Sequence, residues 1–341
     1  MYARPSPSAG TAADARQALA ARYRDIRAHS LALAAPLSAE DQALQSMPEA
    51  SPTKWHLAHT SWFFEVVVLS AHLPHYRPYD RRFHFLFNSY YESLGPRHPR
   101  PQRGMLSRPS LDEVRALRRH VDQAMERLIE EASPAAWPGV AAQVQLGLQH
   151  EQQHQELILT DILHAFWCNP LLPAYRESPP ALHLAAAAPL RWWAVEGGVT
   201  TVGHPACPGD GQGDVDGFAF DNETPRHQVL LQPFEIADRL VSCGEYARFI
   251  EDGGYREPGL WLSDGWALVQ AQGWQAPAYW IAPGDPRAPS DGWQVFGLDG
   301  VRPLEPAAPV MQLSFYEAAA YAQWAGARLP TEIEWEAACA T

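Results

Sequence analysis

HEQQHQE, residues 150–156, supports two incompatible readings. Its first five residues satisfy H-E-x-x-H, the pattern in which two histidines hold zinc and the glutamate between them is the base. On a helix, His150 and His154 lie one turn apart and face the same way, so both imidazoles reach one ion. Glu156, two positions beyond His154, points about 200° away around the helix and cannot join them. The spacing therefore supplies two ligands and leaves the part played by Glu151 open.

The surrounding pattern is helical from about Ala141 to Phe166 and stops before Pro170. Upstream, residues from Ala12 to about Leu33 read as a first helix. The run SPTKWHLAHTSWFFEVVVLSAHL opens a second, with Ser51 as N-cap and Pro52 at the first helical position. RPSLDEVRALRRHVDQAMERLIEEA, from Arg108, is a third, capped by Ser110 and acidic in its first turn. Four long helices with a long connection between the second and third predict a helix bundle over residues 1 to about 170.

A third ligand is sought on the second helix. Trp55, His59, Trp62, Val66 and Leu69 recur at the spacing of one apolar stripe, which turns His59 into the bundle. His56 sits beside the stripe and is the weaker candidate. A buried imidazole needs partners for its ring nitrogens, and either a carbonyl or a shared metal ion would serve. The protease reading fares worse: a metzincin needs Gly at 157 and His at 160, where the chain has Leu157 and Thr160. The nearest glutamate for a gluzincin, Glu177, lies in a Pro-rich connector.

The 341 residues fit two domains. A hydrophobic share of 46% is ordinary, but 13 tryptophans and 31 prolines point to aromatic-rich, loop-rich packing. Net charge −13 argues against nucleic acid or an anionic membrane as partner. Cys168, Cys207, Cys243 and Cys339 are widely spaced and form no C-x-x-C pair, so a reducing cytoplasm is expected. The N-terminus has no signal-peptide pattern, and no segment reaches the roughly 18 apolar residues of a membrane helix.

From about Trp192 the chain turns to Gly, Trp, Pro and short β-like runs such as HQVLLQPFEIA. Three helical stretches interrupt them: SCGEYARFIEDGG, SFYEAAAYAQWAG and TEIEWEAACA. The expected organisation is a bundle over 1–175, a linker over 176–190 and an irregular α+β domain over 191–341.

SPTKWHLAHTSWFFE, FNSYYESLGPRHPRPQRGMLSRPS and HEQQHQELILTDILHAFWCNPLLPAY resemble the bundle domain of the ergothioneine-type sulfoxide synthases, the hercynine oxygenases. FDNETPRHQVLLQPFEIADRLVSCGEYARFIEDGGY, LWLSDGWALVQAQGWQAPAYW and ARLPTEIEWEAACA resemble their second domain, which shares the fold of formylglycine-generating enzyme and sulfatase-modifying factors. The resemblance implies a DinB-like four-helix bundle holding non-haem Fe(II) through His59, His150 and His154. Three neutral imidazoles leave room on an octahedral ion for substrates and dioxygen. Glu151 then becomes a solvent-side or interhelix residue, and Gln153 matches a position on the substrate side of the metal.

In NSYYE, Asn88 is expected near substrate, and Tyr90 and Tyr91 match a tyrosine pair of which one donates a proton at the iron. Arg100 and Arg103 match positions that hold the thiol substrate's carboxylate, a task suited to guanidinium forks; Arg97 and Arg108 are secondary candidates. The implied reaction joins cysteine, or γ-glutamylcysteine, to hercynine (Nα-trimethylhistidine) with O2. Selenoneine- and ovothiol-type synthases, a DinB-like thiol-dependent transferase or hydrolase, a zinc peptidase and a binding module are the rivals. Family members continue past residue 341, so a truncated second domain with unpaired strand edges and an incomplete pocket wall is expected.

Overall fold

The computed structural model describes residues 12–90, 95–177, 187–205, 218–287 and 291–340. These form two compact units, one built on the chain up to Asn169 with Phe218 added, the other starting at Pro170.

Four long helices make the first unit: α1 (Ala12–Ala34), α2 (Thr53–Phe63), α3 (Leu111–Glu131) and α4 (Trp137–Trp167). α1 packs on α4 and α3, and α2 packs on the same two helices from its own side. α3 opens with the predicted cap in full. Ser110 Oγ accepts from the Glu113 N–H, and the Glu113 carboxylate accepts from the Ser110 N–H at 2.7 Å. Its buried residues Val114, Leu117, Val121, Met125 and Leu128 recur at helical spacing and form one wall of the core.

Two helix starts differ from expectation. α4 begins at Trp137, upstream of Ala141, with Pro138 in its first turn. Proline is tolerated there because the N–H it lacks would have had no partner. In α2 the cap position is Pro52, whose carbonyl accepts from the Trp55 and His56 N–H groups, and no side chain caps it. Ser51 is used elsewhere: its N–H donates to Asp161 Oδ2 at 2.8 Å, and its Oγ accepts from Arg103 at 2.8 Å.

α2 and α4 approach closely at Gly147. A Cβ there would lie 2.5 Å from the Phe64 ring and 3.1 Å from that of Phe63. Beyond the core aromatics, α4 carries a buried carboxylate. Glu151, with no exposed side-chain surface, pairs with Arg27 at 2.9 Å and Arg118 at 3.0 Å. It also accepts from Ser30 Oγ at 2.6 Å. Burial alone would raise Glu151, but Arg27 and then Arg118 outweigh it and hold the carboxyl at about 2. Of the two expectations for Glu151, the interhelix one is met and the solvent-side one is not.

In the second unit, strands β1 (Trp192–Val195) and β4 (Phe234–Ala237) pair antiparallel, as do β2 (Gly198–Val202) and β3 (His227–Leu231). β5 (Trp280–Ile281), β6 (Gln294–Gly297) and β7 (Gly300–Pro303) make a third antiparallel sheet. Among the described residues every sheet is two or three strands wide and open at its edges, as expected. Trp193, Val199 and Leu230 are exposed on them.

Helices α5 (Cys243–Glu251), α7 (Phe315–Trp324) and α8 (Glu332–Cys339) start at Ser242, Ser314 and Thr331, each with a reciprocal glutamate three residues on. α6 (Ser263–Gln272) is absent from the sequence reading. It follows Leu262, which offers no capping side chain, and includes Gly265, so neither its start nor its interior announces a helix. The N–H groups of Tyr175 and Arg176 both donate to the Leu298 carbonyl, tying the stretch after α4 to the second unit. No helix is long and apolar enough to cross a membrane among the described residues.

Candidate metal centre

The apolar stripe of α2 and the one-turn pair of α4 converge. His59, His150 and His154 bring a nitrogen each to within 4.8 Å of the others. His59 Nε2 and His154 Nε2 stand 3.2 Å and 3.1 Å from His150 Nε2.

His59 is 1% exposed and lies between Trp55 and Trp62, with near-parallel rings at 4.6 Å and 5.5 Å. Its Nδ1 is 2.5 Å from the Phe87 carbonyl, which can only accept, so the proton sits on Nδ1 and the Nε2 lone pair faces the two α4 histidines. The carbonyl alternative is met, and it takes one ring nitrogen while leaving the other facing the α4 histidines.

Burial pushes the His59 imidazole far below its ordinary value, and His150 beside it adds to the fall. Burial likewise lowers His150 to about 4, and lowers His154 with help from His59. Three neutral rings with inward-facing nitrogens suit a cation and would repel one another without a proton or ion between them. His150 Nδ1 is buried and has no hydrogen-bond partner among the described residues. The donor set is all imidazole, which fits a borderline transition metal such as ferrous iron or zinc better than Mg2+ or Ca2+.

The protease reading fails on Glu151. Its carboxylate is engaged by Arg27, Arg118 and Ser30 in the bundle interior, so it cannot serve as base. The sequence reading gave little weight to His56 and none to Asp161. His56 is 2% exposed, with Nδ1 at 2.8 Å from His154 Nδ1 and Nε2 at 3.0 Å from Asp161 Oδ2. A signal existed: Asp161 is seven positions beyond His154, two turns along the same face of α4, and His56 is three before His59.

The remaining candidates divide. Arg103 is 4% exposed, and its guanidinium stacks on Trp55 with its carbon 3.4 Å from the ring centre. This extends the Trp55–His59–Trp62 column by one layer. Its bonds go to Ser51 Oγ at 2.8 Å and Ser89 Oγ at 3.1 Å, while Nε has no acceptor among the described residues. Burial, then the neighbouring Arg100, lowers Arg103 to about 10.

Arg100 donates to Tyr90 Oη and to the Glu49 carbonyl, and its Nε also lacks an acceptor. Tyr90 is 65% exposed and lies under Arg97, with 5.5 Å from guanidinium carbon to ring centre. Asn88 is buried, and its amide donates to the Gly95 carbonyl at 3.0 Å, closing the loop that carries Tyr90. Gln153 is exposed on α4. Tyr91 lies outside the described residues.

Comparison with known proteins agrees with this architecture. Residues 22–158 match the DinB superfamily, and residues 192–341 match the sulfatase-modifying factor enzyme 1-like domain. The hercynine oxygenase of Mycolicibacterium thermoresistibile is 33% identical over 97% of this chain and 68% of its own length. That of Mycolicibacterium smegmatis is 34% identical over 57% of this chain and 41% of its own length. The formylglycine-generating enzyme of Streptomyces coelicolor is 32% identical over 45% of this chain and 53% of its own length.

A DinB bundle with three histidines converging in its interior, followed by a sulfatase-modifying-factor domain, defines a two-domain enzyme class. Within that class, similarity along nearly the whole chain gives the assignment: the chain belongs to the hercynine oxygenase family and is an oxygenase.

Proposed function

We propose that the chain is a non-haem Fe(II)- and O2-dependent sulfoxide synthase that joins the sulfur of cysteine, or of γ-glutamylcysteine, to the imidazole carbon of hercynine. The single observation that carries it is the convergence of three buried imidazoles from two helices, with no carboxylate joining them among the described residues. The overall change balances as thiol plus imidazole C–H plus O2 giving sulfoxide plus water. Ferrous iron, held by His59, His150 and His154, would supply the redox chemistry and the meeting point for thiol, imidazole and O2.

The protein's own residues would bind and orient. Arg103 and Arg100 are two cations, each with an unbonded Nε and no carboxylate partner among the described residues, and they would receive the thiol substrate's carboxylate. Trp55 fixes the Arg103 plane beside the histidines, so this carboxylate site and the metal site share one wall. Tyr90 and Tyr91 would give a proton, with the Tyr90 hydroxyl already polarised by Arg100. Gln153 would face hercynine from α4, and Asn88 would hold the Tyr90 loop in place.

The test is anaerobic loading of the whole chain with Fe(II), followed by O2 uptake in the presence of hercynine and cysteine. One iron per chain, with uptake dependent on both substrates and lost in His59→Ala, is the expected result. Uptake that survives His59→Ala, or one zinc with peptide cleavage, overturns the proposal. γ-Glutamylcysteine or a selenosugar in place of cysteine then separates the donor classes.

A further inference from the structure

We infer that Asp161 and His56 are positioning residues that set the tautomer and orientation of His154, making it the most strongly donating of the three imidazoles. The inference rests on the metal-centre reading above and deepens it.

The argument follows protons along one chain of contacts. Asp161 Oδ2 already accepts the Ser51 N–H at 2.8 Å, so it is an acceptor where His56 Nε2 meets it at 3.0 Å. His56 must therefore carry its proton on Nε2, which leaves its Nδ1 as a lone pair. That lone pair faces His154 Nδ1 at 2.8 Å, and one of the two nitrogens has to donate. With His56 fixed by the carboxylate, His154 donates. Its Nε2 is then the lone pair, and Nε2 is the atom 3.1 Å from His150 Nε2.

The opposite polarity would set the His56 Nε2 lone pair against a carboxylate oxygen in a site where His56 is 2% exposed. Such a contact lacks a proton and is disfavoured by desolvation.

The three rings consequently differ. His59 donates to a neutral carbonyl, His150 Nδ1 has no partner among the described residues, and His154 is backed by an imidazole that is itself backed by a carboxylate. A ring whose N–H is drawn toward negative charge is a stronger donor to a metal through its other nitrogen. The carboxylate also places a negative charge near a centre whose ligands are otherwise neutral. His154 has no carbonyl in the role that Phe87 plays for His59, so the relay replaces that contact.

The experiment uses the full-length chain and Co(II), a probe that reports binding through its visible spectrum and requires no turnover. His56→Phe removes the acceptor for His154 Nδ1–H and is expected to weaken Co(II) binding about 10- to 100-fold. His56→Gln offers a side-chain carbonyl in its place and should recover most of the loss. Asp161→Asn keeps an acceptor without the charge and should fall between the two. Apoprotein circular dichroism and melting of each variant are measured alongside.

Wild-type-like affinity in His56→Phe, or His56→Gln no better than His56→Phe, overturns the relay while leaving the metal centre standing. A wild-type chain that binds neither Co(II) nor Fe(II) removes the metal reading and the relay with it. Should His56→Phe fail to fold, long-range imidazole 15N spectra of the wild-type apoprotein decide the matter. His154 protonated on Nδ1 and His56 on Nε2 is the expected pattern, and His154 protonated on Nε2 overturns it.

Discussion

The two units place their charges in opposite ways. In the bundle, Arg27, Arg118 and Glu151 are removed from water and compensate one another, with Asp122 as a second carboxylate on Arg27 and Ser30 as a further donor to Glu151. In the second unit, Arg239 pairs with Glu245 and Arg328 with Glu334 at helix starts, where solvent already screens them. The buried set fixes which face of α4 turns toward α1 and α3. The histidines, on another face of the same helix, are thereby turned toward α2. These pairs reinforce the starts of single helices, and Arg239 also holds the Ala188 carbonyl.

The sharpest way to break this contrast is Glu151→Ala. Removing the carboxylate leaves Arg118 buried without its paired counter-charge and Arg27 with Asp122 alone, a change that costs about 3–5 kcal/mol. Denaturant unfolding followed by hydrogen exchange, which resolves the two units, should show the loss in residues of the bundle alone. Glu151→Gln should lose less, because the amide still accepts a hydrogen bond. A bundle that keeps its stability in Glu151→Ala would mean that the buried pairs are replaceable by water and do not orient α4.

Acid reaches part of the same loss by protonation. Glu151 is held at about 2 against an ordinary 4.5, so its stabilisation is complete above about pH 4.5 and disappears as pH falls through 2. Glu245 and Glu334, also held at about 2, give the second unit the same window. The bundle has an earlier one as well. His150 is lowered to about 4 from 6.5, so the contribution of its neutral ring is complete above pH 6.5 and is lost as pH falls toward 4. Exchange protection measured from pH 7 to 5 on the apoprotein should therefore decline in the bundle before the second unit changes. Simultaneous decline would show that the histidines are not held neutral by burial.

Gly147→Ala tests the approach that lets the two ligand-bearing helices meet. The added methyl falls on the Phe64 and Phe63 rings, and Phe63 also touches His150, with ring centres 4.7 Å apart. Overpacking of this kind costs about 1–3 kcal/mol. It should also weaken Co(II) binding, because α4 moves away from His59. Unchanged affinity with reduced stability would show that the strain is absorbed in the aromatic rings and not in the helix position.

Much of this was legible in the sequence. The 3.6-residue period placed His59 on the inner face of α2, and the single-turn spacing paired His150 with His154, because both facts are local. The Ser110 cap was legible for the same reason. The relay through His56 and Asp161 was not, because it joins residues 105 positions apart, and helix periodicity gives faces without giving the rotation of one helix against another. Glu151 was misleading in a different way. Its motif fits catalysis, and only the position of Arg27 and Arg118 on neighbouring helices reveals a structural charge.

The smallest expected effect belongs to the second unit. Ser242 Oγ accepts from the Glu245 N–H at 3.3 Å, and Glu245 returns a bond to the Ser242 N–H at 2.9 Å. Ser242→Ala removes one of these two bonds and should cost about 1 kcal/mol, since Glu245 keeps its contacts with Arg239 and the backbone. The effect should be confined to α5 and its neighbours in hydrogen exchange. Co(II) affinity at the histidines should be unchanged, because the bonds of this cap all lie within α5 and its start. If affinity fell in Ser242→Ala, the two units would be energetically coupled, and the division between a charge-ordered bundle and a cap-ordered second unit would have to be abandoned.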